Sequence, residues 1–341
     1  MPLMATPRAS RTIGALLGVH CGDSLGASLE FEPWSQIILR YPHGLRDIVG
    51  GGPFDWPAGH ATDDTDLTRA VLLAYRDREE QKHAERPQPL QQIKVVEATA
   101  EYALNWYEGN WPGRKKGMPP VDIGNATRLA LEHFKVFKDT DKSGAGIGSA
   151  GNGSLMRCIP TGLFAPEESR QTESIAISKF THNDPRCTVA CAAYNEIVAA
   201  LIDGREPQEA VQIGKAAADG LKGKKVTDAI QKGETISLAR LASDGPQSNE
   251  SVSTSGYVLN GLTLSVAALL DTRSFEDVLV DVVRIGGDSD TNGAIAGGLL
   301  GAREGIEKIP DRWLKKLQFR QEFEDVAVRI LQLQHRAESV D

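Results

Sequence analysis

Apolar residues recur at helical spacing along most of the chain. Leu67, Ala70, Val71 and Ala74 stand at i, i+3, i+4 and i+7, and Ile123, Ala126, Thr127 and Ala130 repeat that spacing. Each set occupies one face of a helix. The same period predicts longer helical segments over residues 172–203, 207–221, 226–241 and 320–336. Alternation with a period of two, the mark of a half-buried strand, is confined to residues 45–49. The pattern predicts an all-α protein of about ten helices or more.

Loops punctuate these segments. Glycine, proline and small polar residues collect at 50–59, 109–120, 144–153 and 243–255, and the charged stretch 76–89 reads as a solvated helix end and linker. None of these loops introduces a lasting change of composition. A single domain spanning 1–341 is therefore expected, with an ordered core over about residues 10–338.

Charge narrows the function. With 38 basic and 46 acidic residues the net charge is −8, which speaks against general affinity for nucleic acid or a membrane surface. A phosphate-bearing ligand would have to be held by a local site. The four cysteines, Cys21, Cys158, Cys187 and Cys191, form neither a disulfide framework nor a CxxC pair. Cys187 and Cys191, one helical turn apart, read as small core residues. No apolar run reaches the roughly 20 residues that cross a bilayer, and the N-terminus lacks the apolar stretch of a secretory signal. A reducing, cytoplasmic setting is expected.

Two acidic clusters carry the candidate chemistry. Thr62-Asp63-Asp64-Thr65 precedes the helical pattern that starts at Asp66, and Gly286-Gly287-Asp288-Ser289-Asp290-Thr291 precedes the small-residue helix 292–302. Either cluster alone could simply cap a helix. Capping uses one or two side chains, however, whereas here several carboxylates crowd together and would repel unless a cation neutralises them. Hydroxyl and carboxylate oxygens from two helix starts suit Mg²⁺ or Mn²⁺. Gly297 and Gly301, at i and i+4, would let helix backbones approach closely and seat the second cluster deep in a bundle against the first.

Weaker signals lie between the clusters. Gly151-Asn152-Gly153-Ser154 ends a glycine-rich loop and reads as the opening of a helix. Its backbone N–H groups could cradle a diphosphate, although a flexible connection would look the same. Glu30, Asp122 and His182, each taken alone, could be a helix-end residue, an N-cap and a helix terminator.

Taken in order, GDSLGASLEF, GLRDIVGGG, HATDDTDLT, PVDIGN, GNGSLMR, THNDP, SGYVLNGL and GGDSDTNGAIAGGLLGA resemble the ADP-ribosylglycohydrolase family over nearly the whole chain. TDDT paired with GGDxDTNGAIAG is highly specific to it. The resemblance implies an orthogonal helical bundle with two Mg²⁺ or Mn²⁺ ions held by Thr62, Asp63, Asp64, Asp288, Asp290 and Thr291. It implies metal ligation or catalysis by Glu30, catalysis or arginine recognition by Asp122, and ADP-ribose contacts from Asn125, Gly151, Asn152, Gly153, Ser154 and His182, with Tyr257 near the adenosine end. The stretch 109–118 before Asp122 departs from the pattern and could reshape the entrance to the site.

The expected activity is metal-dependent hydrolysis of the bond between ADP-ribose and a modified protein side chain, arginine ahead of serine. O-acetyl-ADP-ribose, poly(ADP-ribose) and a non-catalytic ADP-ribose-binding role stand as alternatives. The expected partners are ADP-ribosylated proteins or ADP-ribose-containing small molecules, met by a monomer.

Overall fold

The computed structural model describes residues 6–84, 93–248 and 252–338. Its α-helices run α1 (Pro7–Gly26), α2 (Trp34–Arg40), α3 (Asp63–Lys82), α4 (Val95–Tyr107), α5 (Asn125–Phe137), α6 (Thr140–Ser143), α7 (Ile159–Phe164), α8 (Glu167–Lys179) and α9 (Pro185–Ile202). They continue with α10 (Pro207–Gly220), α11 (Lys224–Gly233), α12 (Leu238–Asp244), α13 (Val258–Leu270), α14 (Phe275–Arg284), α15 (Ser289–Glu304), α16 (Asp311–Leu314) and α17 (Arg320–Glu338). The fold is all-α, as the periodicity predicts. Of the linker read over 76–89, residues 85–89 lie outside the described residues, as do residues 249–251 of the loop read over 243–255. No described helix is long and apolar enough to cross a membrane.

Glycine spacing explains the centre of the bundle. A methyl group added to Gly14, Gly18 or Gly22 of α1 would collide with the backbone of Gly301, Gly297 or Gly293 of α15, respectively. The opposite order of the partners shows that the two helices run antiparallel with their backbones in direct contact. Glycine inside a helix costs about 1 kcal/mol relative to alanine, so neither sequence favours a helix in isolation. Tertiary packing stabilises both. They are buried almost all round, enclosed by α9, α13 and α14 against α15 and by α3 and α17 against α1. At the end of this contact the Ser289 hydroxyl donates to the Gly26 carbonyl at 2.8 Å. The end of α1 thus meets the start of α15.

Three local expectations change. Residues 45–49 form no strand, and among the described residues β pairing is limited to isolated bridges. Leu45 and Ile48 are the residues buried there, three apart rather than two. Trp313 Nε1 and Lys316 Nζ donate to the carbonyls of Arg46 (3.0 Å) and Ile48 (2.9 Å), so the backbone needs no strand partner. The 172–203 segment is two helices, α8 and α9, because Asp184 caps α9 by accepting the Arg186 N–H at 2.9 Å and Pro185 occupies its first position. The 226–241 segment likewise breaks after Gly233, and Ser237 caps α12. The four cysteines are buried and free, with Cys187 and Cys191 in the core.

Candidate active site

The two acidic clusters meet. Thr62 is the N-cap of α3 and accepts the Asp64 N–H at 3.3 Å, so α3 begins at Asp63, three residues earlier than the apolar pattern suggests. Asp290 and Thr291 occupy the first turn of α15, with Asp288 at its N-cap position. The Thr291 hydroxyl donates to Asp64 Oδ2 at 3.3 Å and joins the helix starts. Capping accounts for little of this acidity: Asp288 makes no capping bond and instead accepts Asn152 Nδ2 at 2.5 Å.

Glu30 and Asp122 belong to the same cluster. Each brings a carboxylate oxygen within 4.8 Å of the other and of Asp290. Glu30 Oε2, Asp64 Oδ1, Asp122 Oδ2 and Asp290 Oδ1 are all buried without a hydrogen-bond partner. Burial first, then repulsion from Asp122 and Asp288, pushes the Glu30 carboxyl up to about 9. Burial and Asp288 push Asp122 up to about 6. Asp63, Asp64 and Asp290 are raised well above the usual carboxylate range by burial and by their acidic neighbours. Buried, unpaired and mutually repelling carboxylates are costly unless a cation joins them. A donor set made only of oxygen fits a hard divalent cation.

This cluster lines a cleft of about 820 Å³, together with Asn125, Gly151, Asn152, Gly153 and His182. Thr62 and Asp64 lie behind that lining. The 151–154 segment does not open a helix: the Leu155 and Met156 N–H groups turn back to the Asn152 carbonyl, and α7 starts only at Ile159. Among the described residues the N–H groups of Gly153 and Ser154 have no acceptor. The Ser154 side chain points inward, where Ser178 Oγ donates to it at 2.9 Å and Cys191 Sγ lies at 3.6 Å. Ser154 is wholly buried and, unlike Gly151, Asn152 and Gly153, lies outside the cleft lining. His182 Nδ1 pairs with the Thr181 hydroxyl at 2.8 Å, and its Nε2 faces Gly151 and Gly153. Burial and the Arg157 charge hold that imidazole neutral, its pKa lowered to about 3. Tyr257 stands at the N-cap of α13, its backbone bridged to Gly151 and its ring 5.6 Å from the Arg186 guanidinium; it lies beside the cleft lining rather than in it.

The family model for ADP-ribosylglycohydrolase matches residues 4–339. The chain belongs to the ADP-ribosylglycohydrolase family. It is 30% identical to the ADP-ribosyl-[dinitrogen reductase] glycohydrolase of Rhodospirillum rubrum, over 92% of either chain. It is 29% identical to the ADP-ribosylarginine hydrolase Tri1 of Pseudomonas putida, over 97% of this chain and 80% of that one. A solved ADP-ribosylglycohydrolase-related protein complex superposes with a TM-score of 0.74 at 25% identity, covering 96% of this chain and 98% of the other. Membership makes this chain an ADP-ribosyl glycohydrolase.

Three groups that shape this glycohydrolase site escaped the sequence reading. Asp23, fully buried on α1, accepts the N–H groups of Thr62 (3.1 Å) and Thr65 (3.3 Å) and the Thr65 hydroxyl. A carboxylate from one helix thus caps another. The available signal was an acid within a glycine-rich apolar helix. Arg157 donates to the Gly153 carbonyl, to the Ile177 carbonyl at 3.1 Å and to Thr181 Oγ1 at 2.6 Å, which ties the glycine loop inward. Asp66, one turn beyond Asp63, accepts Trp106 Nε1 (2.9 Å), Trp111 Nε1 (3.1 Å) and Arg114 Nε (2.9 Å). Arg114 also donates to the Ala61 carbonyl. The 109–118 stretch therefore braces the start of α3. No local pattern announces either network, because their members are far apart in sequence.

Proposed function

We propose that this protein hydrolyses the N-glycosidic bond between ADP-ribose and an arginine side chain of a modified protein. The observation that carries the reading is the convergence of Glu30, Asp122 and Asp290 within 4.8 Å in a cleft that is also lined by Gly151, Asn152 and Gly153. The arginine preference is supported by the name of the Pseudomonas putida relative.

Thr62, Asp63, Asp64, Asp288, Asp290 and Thr291 would hold two Mg²⁺ or Mn²⁺ ions. When bound, these ions supply the positive charge that neutralises the carboxylates and polarises the distal ribose hydroxyls. The free N–H group of Gly153, in the cleft lining, holds the diphosphate by its backbone dipole, without a basic patch. His182 Nε2–H adds a donor, since the Thr181 hydroxyl accepts from Arg157 and gives its own proton to Nδ1. Binding energy gathered there, several bonds from the reaction, fixes the anomeric carbon beside Glu30 and Asp122. One of this pair takes a proton from the attacking water. The other returns a proton to the departing nitrogen. Nearby carboxylate charge stabilises the oxocarbenium character of the transition state, as in glycosidases generally.

Free ADP-ribose released from arginine-, serine- and acetyl-linked substrates, with and without Mg²⁺, tests this reading. Arginine-linked turnover that needs the metal is expected. Glu30→Gln and Asp122→Asn should each lower kcat by about a hundredfold, the scale of lost acid–base assistance, with a far smaller change in ADP-ribose affinity. Tight ADP-ribose binding without cleavage of any linkage would make the protein a binding module.

A further inference from the structure

We propose that a second, smaller pocket beyond Asp122 receives the arginine side chain from which ADP-ribose is removed; this inference rests on the function proposed above. The pocket is about 210 Å³ and shares Asp63, Val121 and Asp122 with the larger cleft. The two spaces therefore meet at the carboxylates. With ADP-ribose on the cleft side of the cut bond, the space on the other side of Asp122 is open to the leaving group. A quarter of the cleft's volume is too little for a second nucleotide and suits one amino-acid side chain.

The lining matches a long cationic side chain. Trp56, Trp106, Met118 and Pro119 form apolar walls along which methylene groups can pack. Trp56 is held by stacking on His60, centroids 4.5 Å apart. Its indole N–H is buried without an acceptor; a guanidinium, which accepts no hydrogen bond, would meet the ring by its face and not by this N–H. At the inner end Asp122 Oδ2 also lacks a partner, and a guanidinium is the planar donor that a carboxylate and an aromatic face recognise together. The wall's own guanidinium, Arg114, does not repel it, because Asp66 neutralises that charge in a buried pair at 2.5 Å. Lys115 stands at the exposed rim. Met118 and Val121, 51% and 64% exposed, give the mouth an apolar border that the backbone of a modified protein would cover.

Two variants test the assignment. Met118→Trp narrows the pocket and Trp56→Leu removes its aromatic wall. The probes are a peptide carrying ADP-ribosyl-arginine, for turnover, and free ADP-ribose, for affinity by calorimetry. Each variant should raise KM for the peptide about tenfold or more, the usual worth of a pocket wall, and leave the ADP-ribose Kd within about twofold. Wild-type KM in both variants would overturn the pocket while leaving the proposed function intact. Equal loss of peptide turnover and of ADP-ribose affinity would also overturn it, since the two spaces would then not be separate subsites. A wild-type protein that cleaves no arginine-linked peptide would sink the proposed function and this inference together.

Discussion

The Thr291 hydroxyl donates to Asp64 Oδ2 at 3.3 Å, across 227 residues of chain. This bond closes the junction between the starts of α3 and α15 and leaves Asp64 Oδ1 and Asp290 Oδ1 buried without partners beside it. Such oxygens are expensive to bury unless something positive joins them.

Removing one carboxylate should therefore have opposite effects with and without metal. In chelator-treated protein, Asp290→Asn relieves repulsion and should raise Tm by about 2 °C or more, the scale of 1 kcal/mol in a protein this large. Wild-type protein should gain Tm on adding Mg²⁺ or Mn²⁺, and the variant should gain little. Calorimetric titration showing unchanged metal stoichiometry in Asp290→Asn would remove Asp290 from the metal site.

The contact between α1 and α15 has no room for a side chain. Gly18→Ala places a methyl group against the Gly297 carbonyl, a backbone atom that cannot rotate away. A loss of about 3 kcal/mol or more is expected in urea unfolding. Gly220→Ala is the control, because a methyl group there meets nothing within 4 Å. It should be neutral or stabilise by about 0.5 kcal/mol. Similar stabilities for the two variants would mean that the helices can slide apart at little cost.

Gly153→Val should weaken ADP-ribose binding through His182. The Gly153 backbone is not left-handed, so the substitution is not strained. Its Cβ, however, would sit 3.0 Å from His182 Cε1 and 3.3 Å from Thr127 Oγ1, and the two branches of valine need more room than that. An affinity loss of about tenfold or more is expected by calorimetry, with metal binding unchanged. Wild-type affinity would reduce the loop to a connector.

His20 makes stability fall in acid. It is fully buried between Ser24 Oγ (3.1 Å) and the Phe319 N–H (3.3 Å), and burial lowers its pKa from 6.5 to about 3. The unfolded chain takes up this proton below pH 6.5 while the folded protein does not. Its contribution is thus present above pH 6.5 and lost as pH falls towards 3. Between pH 6 and 4, His20→Gln should lose stability less steeply than wild type, by about 1.4 kcal/mol per pH unit. Parallel stability curves in that range would show that His20 already titrates normally in the folded state.

The sequence by itself determined the helical class, the two acidic clusters and the glycine spacing that seats one of them. These are local properties: a period of 3.6 shows which face is buried, and glycine at every fourth position shows where a backbone can come close. Tertiary structure alone decided how the distant groups of the site are brought together and what braces them. Glu30 and Asp122, named in the sequence only through the family resemblance, look locally like ordinary helix-end residues, and the α1–α15 contact and the loop before α5 bring them to Asp290. Residues 172–203 read as one helix because apolar spacing runs through them, but the Asp184 cap and Pro185 break it, and His182, in the break, faces Gly151 and Gly153. Arg114, which braces the start of α3, carries no mark in its neighbours along the chain, and the acid Asp23 in its glycine-rich apolar helix does not show that it caps α3. Their partners are chosen by packing, and packing is a property of distances in the folded backbone that no local period encodes.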